Sequence, residues 1–167
     1  MGKAQHSWSG MRNWLEKDML AESLRGRVRY ACTTYPGMDF CGLFSVFVDD
    51  RAVKHFSMET VASALREGNG PVERQAFWDA YWEEKTQTPL CAREAFDDEE
   101  FAEALKIYRA SSVADAIASE HPVVRMFAVL DRRVGRRTLA RLAKQVSAQP
   151  EWLQAFYRLR LDAEGMD

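Results

Sequence analysis

The chain has 167 residues, of which 47% are hydrophobic and 29% are charged, and its formal net charge is −2 at pH 7. That length suits one domain, or two small halves sharing a core, and it allows a core without disulfides or metal staples. The near-neutral charge excludes a basic nucleic-acid tail or an acidic solubilising chain as a description of the whole molecule.

The N-terminal third predicts one helix followed by an antiparallel sheet. Apolar residues recur at helical spacing from Met11 to Leu15, which predicts a helix over residues 9–20 with Ser9 as its N-cap. Alternating or continuous apolar runs then predict three strands, over residues 27–34, 43–48 and 52–56. Turn-forming residues separate these runs, so the three strands should form a β-meander.

The rest of the chain predicts helices, most of them marked by a capping residue or by proline in the first turn. They begin near Ser57, Phe77, Asp97, Ser112, Pro122, Gly135 and Pro150, and the last ends near Gly165. Asn69-Gly70-Pro71 is the clearest break. We divide the chain into a helix and antiparallel sheet region (1–68), a linker and aromatic helix (69–96) and a helical region (97–167), within one compact domain. The predicted fold class is α+β: an N-terminal helix plus a three-stranded antiparallel meander packed on a mostly helical C-terminal half.

An aromatic stripe lies in the predicted helix after the break. Phe77, Trp78, Tyr81 and Trp82 recur on one side of that helix. Such stripes are more often part of the core than a ligand-binding box. We therefore predict that Trp78, Tyr81 and Trp82 are buried where the sheet meets the helical half.

Few residues suggest catalysis or a cofactor. No two of the three histidines share metal-ligand spacing, and the chain has no G-x-S-x-G elbow and no glycine-rich phosphate loop. His55 with the Asp49-Asp50 turn is the one pairing that could serve an enzyme. Asp97, Asp98 and three glutamates up to residue 103 open a helix, where negative charge compensates the helix dipole. We expect no cofactor, and an enzyme is the less favoured class.

Two segments carry opposite charge. Residues 73–103 have a net charge of −7, and residues 121–144 have a net charge of +6. The candidate binding surface comprises Arg132, Arg133, Arg136, Arg137, Arg141 and Lys144. These segments could neutralise each other across the fold or be solvated helix faces, and Asp131 could hold Arg132 or Arg133 in a local pair. Alternatively the arginines form a surface for phosphate or nucleic acid, because guanidinium groups match phosphate geometry.

The compartment follows from what the chain lacks. Cys32, Cys41 and Cys91 are odd in number and form no C-x-x-C pair, which argues against a disulfide framework and a zinc site. No run approaches about 18 apolar residues, and the N-terminus has no apolar signal segment. We therefore expect reduced thiols, a cytoplasmic location and no membrane partner.

Several strings resemble a family of small bacterial proteins of unknown function. They are W-S-x2-R from Trp8, S-L-R-G-R-V at 23–28, D-R-R-V-G-R-R-T-L at 131–139 and Y-R-L-R-L-D-A-E-G at 157–165. The resemblance covers both ends of the chain and most of the helical half. It implies a bacterial cytoplasmic origin and a shared fold, and it brings no activity, substrate or catalytic residue.

The residues leave three functional hypotheses. The first is a non-enzymatic binding or adaptor protein that recognises another protein through its opposed charged segments. The second is a binder of nucleic acid or of a phosphate ligand through the basic helix 132–144. The third is an enzyme that uses His55 with Asp49 and Asp50. The sequence does not predict an oligomeric state.

Overall fold

The computed structural model describes residues 7–34, 42–69 and 74–166. The helices within these ranges are α1 (Trp8–Asn13), α2 (Met58–Asn69), α3 (Arg74–Gln87), α4 (Asp98–Ala110), α5 (Val113–Ile117), α6 (Pro122–Leu130), α7 (Arg136–Ala143) and α8 (Glu151–Ala163). The strands are β1 (Val28–Thr34), β2 (Gly42–Val48) and β3 (Arg51–Phe56). Short 3-10 turns cover Glu22–Leu24, Leu90–Ala92 and Val146–Ala148. The predicted α+β class is confirmed.

The N-terminal helix starts earlier than predicted. Its N-cap is Ser7, whose side chain accepts a hydrogen bond from the backbone N–H of Gly10 at 3.1 Å, so the assignment of Ser9 was wrong. The earlier start places Trp8 inside the helix, where its ring packs edge-on against Phe44 at a centroid distance of 5.1 Å. The helix then continues as a π-helical segment over Trp14–Met19, which the apolar spacing alone does not reveal.

The sheet is the predicted meander, with strand order β1-β2-β3 and both pairs antiparallel. Asp49 and Asp50 connect β2 to β3 with φ angles of 50° and 65°. Two successive residues in the left-handed region form the type of tight turn whose twist matches that of the flanking strands. Val28, Tyr30 and Val46 are buried on the side that meets the helices.

The core lies between the sheet and the helices around α6. Every residue of α6 is buried except the half-buried Arg125, and α4, α5 and α8 pack around it. Aromatic contacts join the sheet to this core: Phe44 stacks on Phe101 at a centroid distance of 4.3 Å, and the ring of Tyr30 lies tilted against Phe127 at 5.9 Å. The helical half therefore fixes the position of the sheet through aromatic packing.

The aromatic helix α3 corrects part of the prediction. Tyr81 is 1% exposed, and its hydroxyl donates a hydrogen bond to Asp97 Oδ2 at 2.8 Å. Trp82, by contrast, is 53% exposed, so the expectation that it is buried was wrong, and Trp78 is only half-buried. Successive helical residues differ by about 100° in direction, so burying Tyr81 turns its neighbour Trp82 toward solvent.

Several predictions fall outside the described ranges. His6, Cys41 and the Gly70-Pro71 break are among them, and the three-part division of the chain stays a prediction. Across the ranges the structure does describe, every helix is too short or too polar to cross a bilayer.

Candidate anion-binding site

The pairing predicted for an enzyme is not assembled. His55 lies on β3 and its Nδ1 is 2.8 Å from the Ser45 Oγ of the neighbouring strand. Asp49 and Asp50 instead accept hydrogen bonds from arginine side chains that lie before and on β1. No hydrogen bond joins His55 to either aspartate within the described residues. The sequence did not single out Ser45, which is only 5% exposed.

The surroundings of His121 and Cys32 indicate structural and not catalytic roles. His121 caps α6, because its Nδ1 accepts the backbone N–H of Val123 at 3.3 Å. Burial, with the nearby charges of Arg93 and Arg125, lowers the pKa of His121 to about 4. Burial also raises the pKa of the free Cys32 thiol. No group of three or more potential metal ligands occurs among the residues that the structure describes.

The cations of the acidic segment pair with only some of its carboxylates. Lys85 Nζ lies 2.7 Å from Asp97 Oδ2, and the buried Arg93 guanidinium pairs with Glu100. Asp97 and Glu100 also form a reciprocal capping box at the start of α4. Over residues 74–103 no ion pair reaches the cations of residues 132–144. The two charged segments therefore do not neutralise each other across the fold.

In the turn after α6, one cation of the basic segment is held in an ion pair with a buried carboxylate. The Asp131 carboxylate is fully buried and accepts hydrogen bonds from the Tyr108 hydroxyl, from the Arg133 backbone N–H at 2.7 Å and from the Arg133 guanidinium. This bidentate pair raises the pKa of Arg133. Of the two local pairs that the sequence left open, the structure contains the one with Arg133. The Arg133 guanidinium is therefore not available to a ligand.

Arg160 stabilises the same turn from α8. It is 3% exposed, and its Nη atoms donate to the backbone carbonyls of Val129 at 3.2 Å, Asp131 at 2.8 Å and Val134 at 3.0 Å. Its Nε lies 3.1 Å from Glu164 Oε1, an ion-pair contact without hydrogen-bond geometry. One guanidinium thus holds the backbone between α6 and α7.

The helix α7 presents an apolar side and a cationic side. Leu139 and Leu142 are buried, whereas Ala143, which helical spacing predicts on the same apolar side, is exposed at the end of the helix. Apart from Arg133, which is paired with Asp131, the exposed cations of this region are Arg132, Arg136, Arg137, Arg141 and Lys144, which we call the basic face. In the described parts of the chain, no carboxylate pairs with a side chain of the basic face.

A pocket of about 470 Å³ lies at one end of the basic face. It is lined by Ala21, Glu22, Ser23, Arg25, Arg132, Val134, Gly135, Arg136, Leu139, Arg160 and Glu164. Volumes of this order are typical of sites that hold small ligands. Four arginines and two glutamates give the lining a formal net charge of +2. We call this the basic pocket.

Hydrogen bonds order one wall of the basic pocket. The Ser23 hydroxyl donates to Glu164 Oε1 at 2.8 Å, and Arg136 Nη1 donates to the Glu164 carbonyl at 3.3 Å. The guanidinium groups of Arg25 and Arg132, by contrast, have no hydrogen-bond or ion-pair partner among the described residues. Two cations of the pocket are therefore available to a ligand, and a third is held only by a long contact.

Sequence reasoning found only part of this pocket. It selected Arg132 and Arg136 from the local charge pattern, and it missed Arg25, Arg160 and Glu164. The available signal was the set of resembling strings, because residues 23–28, 131–139 and 157–165 each contribute to the lining. Nothing in any one string shows that the three meet in space.

Comparisons with known proteins identify the family of this chain. Neither the curated proteins nor the solved structures contain a match to this chain. The model of the SF0329 protein family matches residues 7–161, which include all of α1 to α7 and all but the last two residues of α8. The chain therefore belongs to the SF0329 protein family.

Proposed function

We propose that this protein is a non-enzymatic binding protein that recognises the phosphate groups of a nucleic acid through the basic face. The supporting observation is that the five cations of the basic face are exposed and lack acidic partners in the described ranges. Arginine forks and lysine ammonium groups bind phosphate strongly and release condensed counterions from nucleic acid. The net charge of −2 is small, and within the described ranges no ion pair joins the acidic segment to the basic face.

The test is nucleic-acid binding across a salt series, for the wild type and for a variant in which Arg137, Arg141 and Lys144 are alanine. These residues are exposed, and none of them lines the basic pocket. We expect unchanged thermal stability, weaker binding, and a log–log salt slope that is smaller by about 0.9 for each lost contact with duplex DNA. Absence of wild-type binding at low salt would refute the nucleic-acid proposal.

A matched control removes the same charge elsewhere. Lys17, Arg51 and Lys106 are exposed and lie on other elements, so their triple alanine variant has the same net charge as the test variant. We expect this control to bind almost as tightly as the wild type, apart from a small uniform loss from the changed net charge. Equal weakening of both variants would show that net charge, and not the basic face, drives binding.

A protein partner is the second candidate, and the exposed aromatic ring of α3 supports it. Trp82 is 53% exposed, and exposed tryptophans are enriched at the energetic centres of protein interfaces. Capture experiments from a bacterial lysate with and without nuclease separate the two candidates. A partner that survives nuclease treatment and is lost in Trp82→Ala supports the protein candidate. Loss of all capture on nuclease treatment supports nucleic acid.

We further propose a bacterial cytoplasmic location for this protein. Cys32 and Cys91 are free thiols in the structure, as expected for a reducing compartment. Fractionation of a bacterial cell that carries the native gene tests this location. Recovery in the membrane or periplasmic fraction would contradict it.

A further inference from the structure

The basic pocket has features that the nucleic-acid proposal does not use. It is a concave site with a volume of about 470 Å³, whereas a surface that only follows a phosphate backbone needs no enclosed volume. Its lining also includes the carboxylates of Glu22 and Glu164, whose negative charge repels the phosphates of a nucleic-acid backbone. The pocket therefore fits a compact ligand that carries both an anionic group for the arginines and hydrogen-bond donors for the glutamates.

The charge of the lining favours a doubly charged anion. The formal net charge of the pocket is +2, and a phosphate monoester carries close to −2 at pH 7. A phosphodiester carries only one negative charge and would leave the pocket with an excess positive charge. Arg25, Arg132 and Arg136 are the cations available for the anion, since the Nη atoms of Arg160 already bind three carbonyls.

The acceptors of the lining favour a hydroxylated carrier. Glu22 has no hydrogen-bond partner for its carboxylate within the described residues, and Glu164 is already oriented by Ser23 and Arg160. Carboxylates beside a bound anion are unfavourable unless the ligand also brings donors, and the hydroxyl groups of a sugar are such donors. The apolar Val134 and Leu139 complete the wall against which a sugar ring can pack.

We propose that the basic pocket binds a phosphate monoester carried on a sugar, with the phosphate at Arg25, Arg132 and Arg136 and the sugar hydroxyls at Glu22 and Glu164. This inference rests on the proposed function, because it assigns a specific ligand to one end of the same basic face. The ligand has two possible sources, a free sugar phosphate or the phosphorylated end of a nucleic-acid strand. Both present the same chemistry to the pocket.

The first experiment is calorimetric titration of the full chain with ribose 5-phosphate, inorganic phosphate and ribose. We expect ribose 5-phosphate to bind at least about tenfold more tightly than either fragment, because each fragment satisfies only one set of groups. Absence of ribose 5-phosphate binding, or equal affinity for inorganic phosphate, would overturn the proposal.

The second experiment uses paired variants on neighbouring residues. The double variant Arg132→Ala with Arg136→Ala removes two cations of the pocket, and Arg137→Ala with Arg141→Ala removes two cations outside it. We expect at least a tenfold loss of ribose 5-phosphate affinity in the first pair and little change in the second. The reverse order would locate the site on the open basic face and overturn the pocket assignment.

A third variant tests the hydroxyl contacts separately from charge. Glu22→Ala should raise the affinity for inorganic phosphate, since a negative charge is removed, while it lowers the ratio of ribose 5-phosphate to inorganic phosphate affinity. An unchanged ratio would overturn the sugar half of the proposal.

The source of the ligand is distinguished with oligonucleotides. A strand with a 5′-phosphate should bind more tightly than the same strand with a 5′-hydroxyl if the pocket takes strand ends, and the pocket double variant should abolish that difference. Equal binding of the two strands, with ribose 5-phosphate binding retained, assigns the pocket to the free sugar phosphate. Nucleic-acid binding without ribose 5-phosphate binding would refute this inference and leave the proposed function intact. Ribose 5-phosphate binding without nucleic-acid binding would refute the proposed function and leave this inference intact.

Discussion

Replacing Arg160 tests whether the turn between α6 and α7 is held by a single buried charge. Arg160→Met keeps an unbranched apolar stem, and it removes the donors to the carbonyls of Val129, Asp131 and Val134. A hydrogen bond from a charged group contributes about 1.5–3 kcal/mol. The three contacts are not additive, because removing the charge also removes the cost of burying it.

We therefore expect Arg160→Met to lose about 3–5 kcal/mol of unfolding free energy, the range observed when one partner of a buried charged network is removed. For a chain of this size, that loss lowers Tm by roughly 6–20 °C. Urea unfolding followed by circular dichroism measures the change, with thermal unfolding as a second assay. Arg160→Lys should recover part of the loss, because an ammonium group keeps the charge but lacks the planar fork.

The matched control is Arg158→Ala, which lies two residues earlier on the same helix. Arg158 is exposed and hydrogen-bonds to Gln154 at 2.9 Å, so its loss should change stability by no more than about 0.5 kcal/mol. The Asp131 carbonyl keeps the Val134 N–H as a donor at 3.1 Å, whereas the carbonyls of Val129 and Val134 lose the charged donor that Arg160 supplies. A value for Arg160→Met within about 1 kcal/mol of the wild type would therefore refute the reasoning.

Three further predictions test other parts of the structure. Tyr81→Phe should lower the free energy of unfolding by about 1–3 kcal/mol, because it leaves the buried Asp97 with one donor fewer. Replacing the exposed Trp82 with alanine should change it by no more than about 0.5 kcal/mol, and urea unfolding of both variants measures the difference. The folded pKa of His121 is about 4, below its ordinary value of 6.5, so stability should fall by about 3 kcal/mol as the pH drops from 6.5 to 4, and unfolding across pH should show a smaller fall in His121→Asn. Thiol titration of the denatured, unreduced protein should count three cysteines, and a count of one would reveal a disulfide.

The sequence predicted features that depend on neighbouring residues. The helix start at Asp97, the cap at Ser112 and the proline in the first turn of α6 were each recognisable within four residues. The meander was recognisable for the same reason, because alternation and turn residues are local signals. These predictions succeeded where the backbone's hydrogen-bonding needs are met by residues close in sequence.

The failures concern features that depend on distant parts of the chain. Trp82 has the same local pattern as Tyr81, and only the position of Asp97 decides which ring is buried. Ser7 and Ser9 are equivalent caps until Phe44 is available to pack against Trp8. A single sequence does not show which distant residues will be in contact. Helical spacing therefore identified the aromatic helix but not the side of it that is buried.

The candidate site depends on both local and distant contacts, and one short stretch of sequence shows this. In D-R-R-V-G-R-R, the buried Asp131 binds Arg133, and Arg160 binds the carbonyls of Asp131 and Val134. Arg132 and Arg136 line the pocket instead, and within the described residues the Asp131 carboxylate pairs with Arg133 alone among these arginines. The charge pattern alone treats all four arginines of the string as equivalent. Their roles differ because one buried carboxylate can satisfy only one of them, and the cations that remain without a carboxylate are the ones available for a ligand.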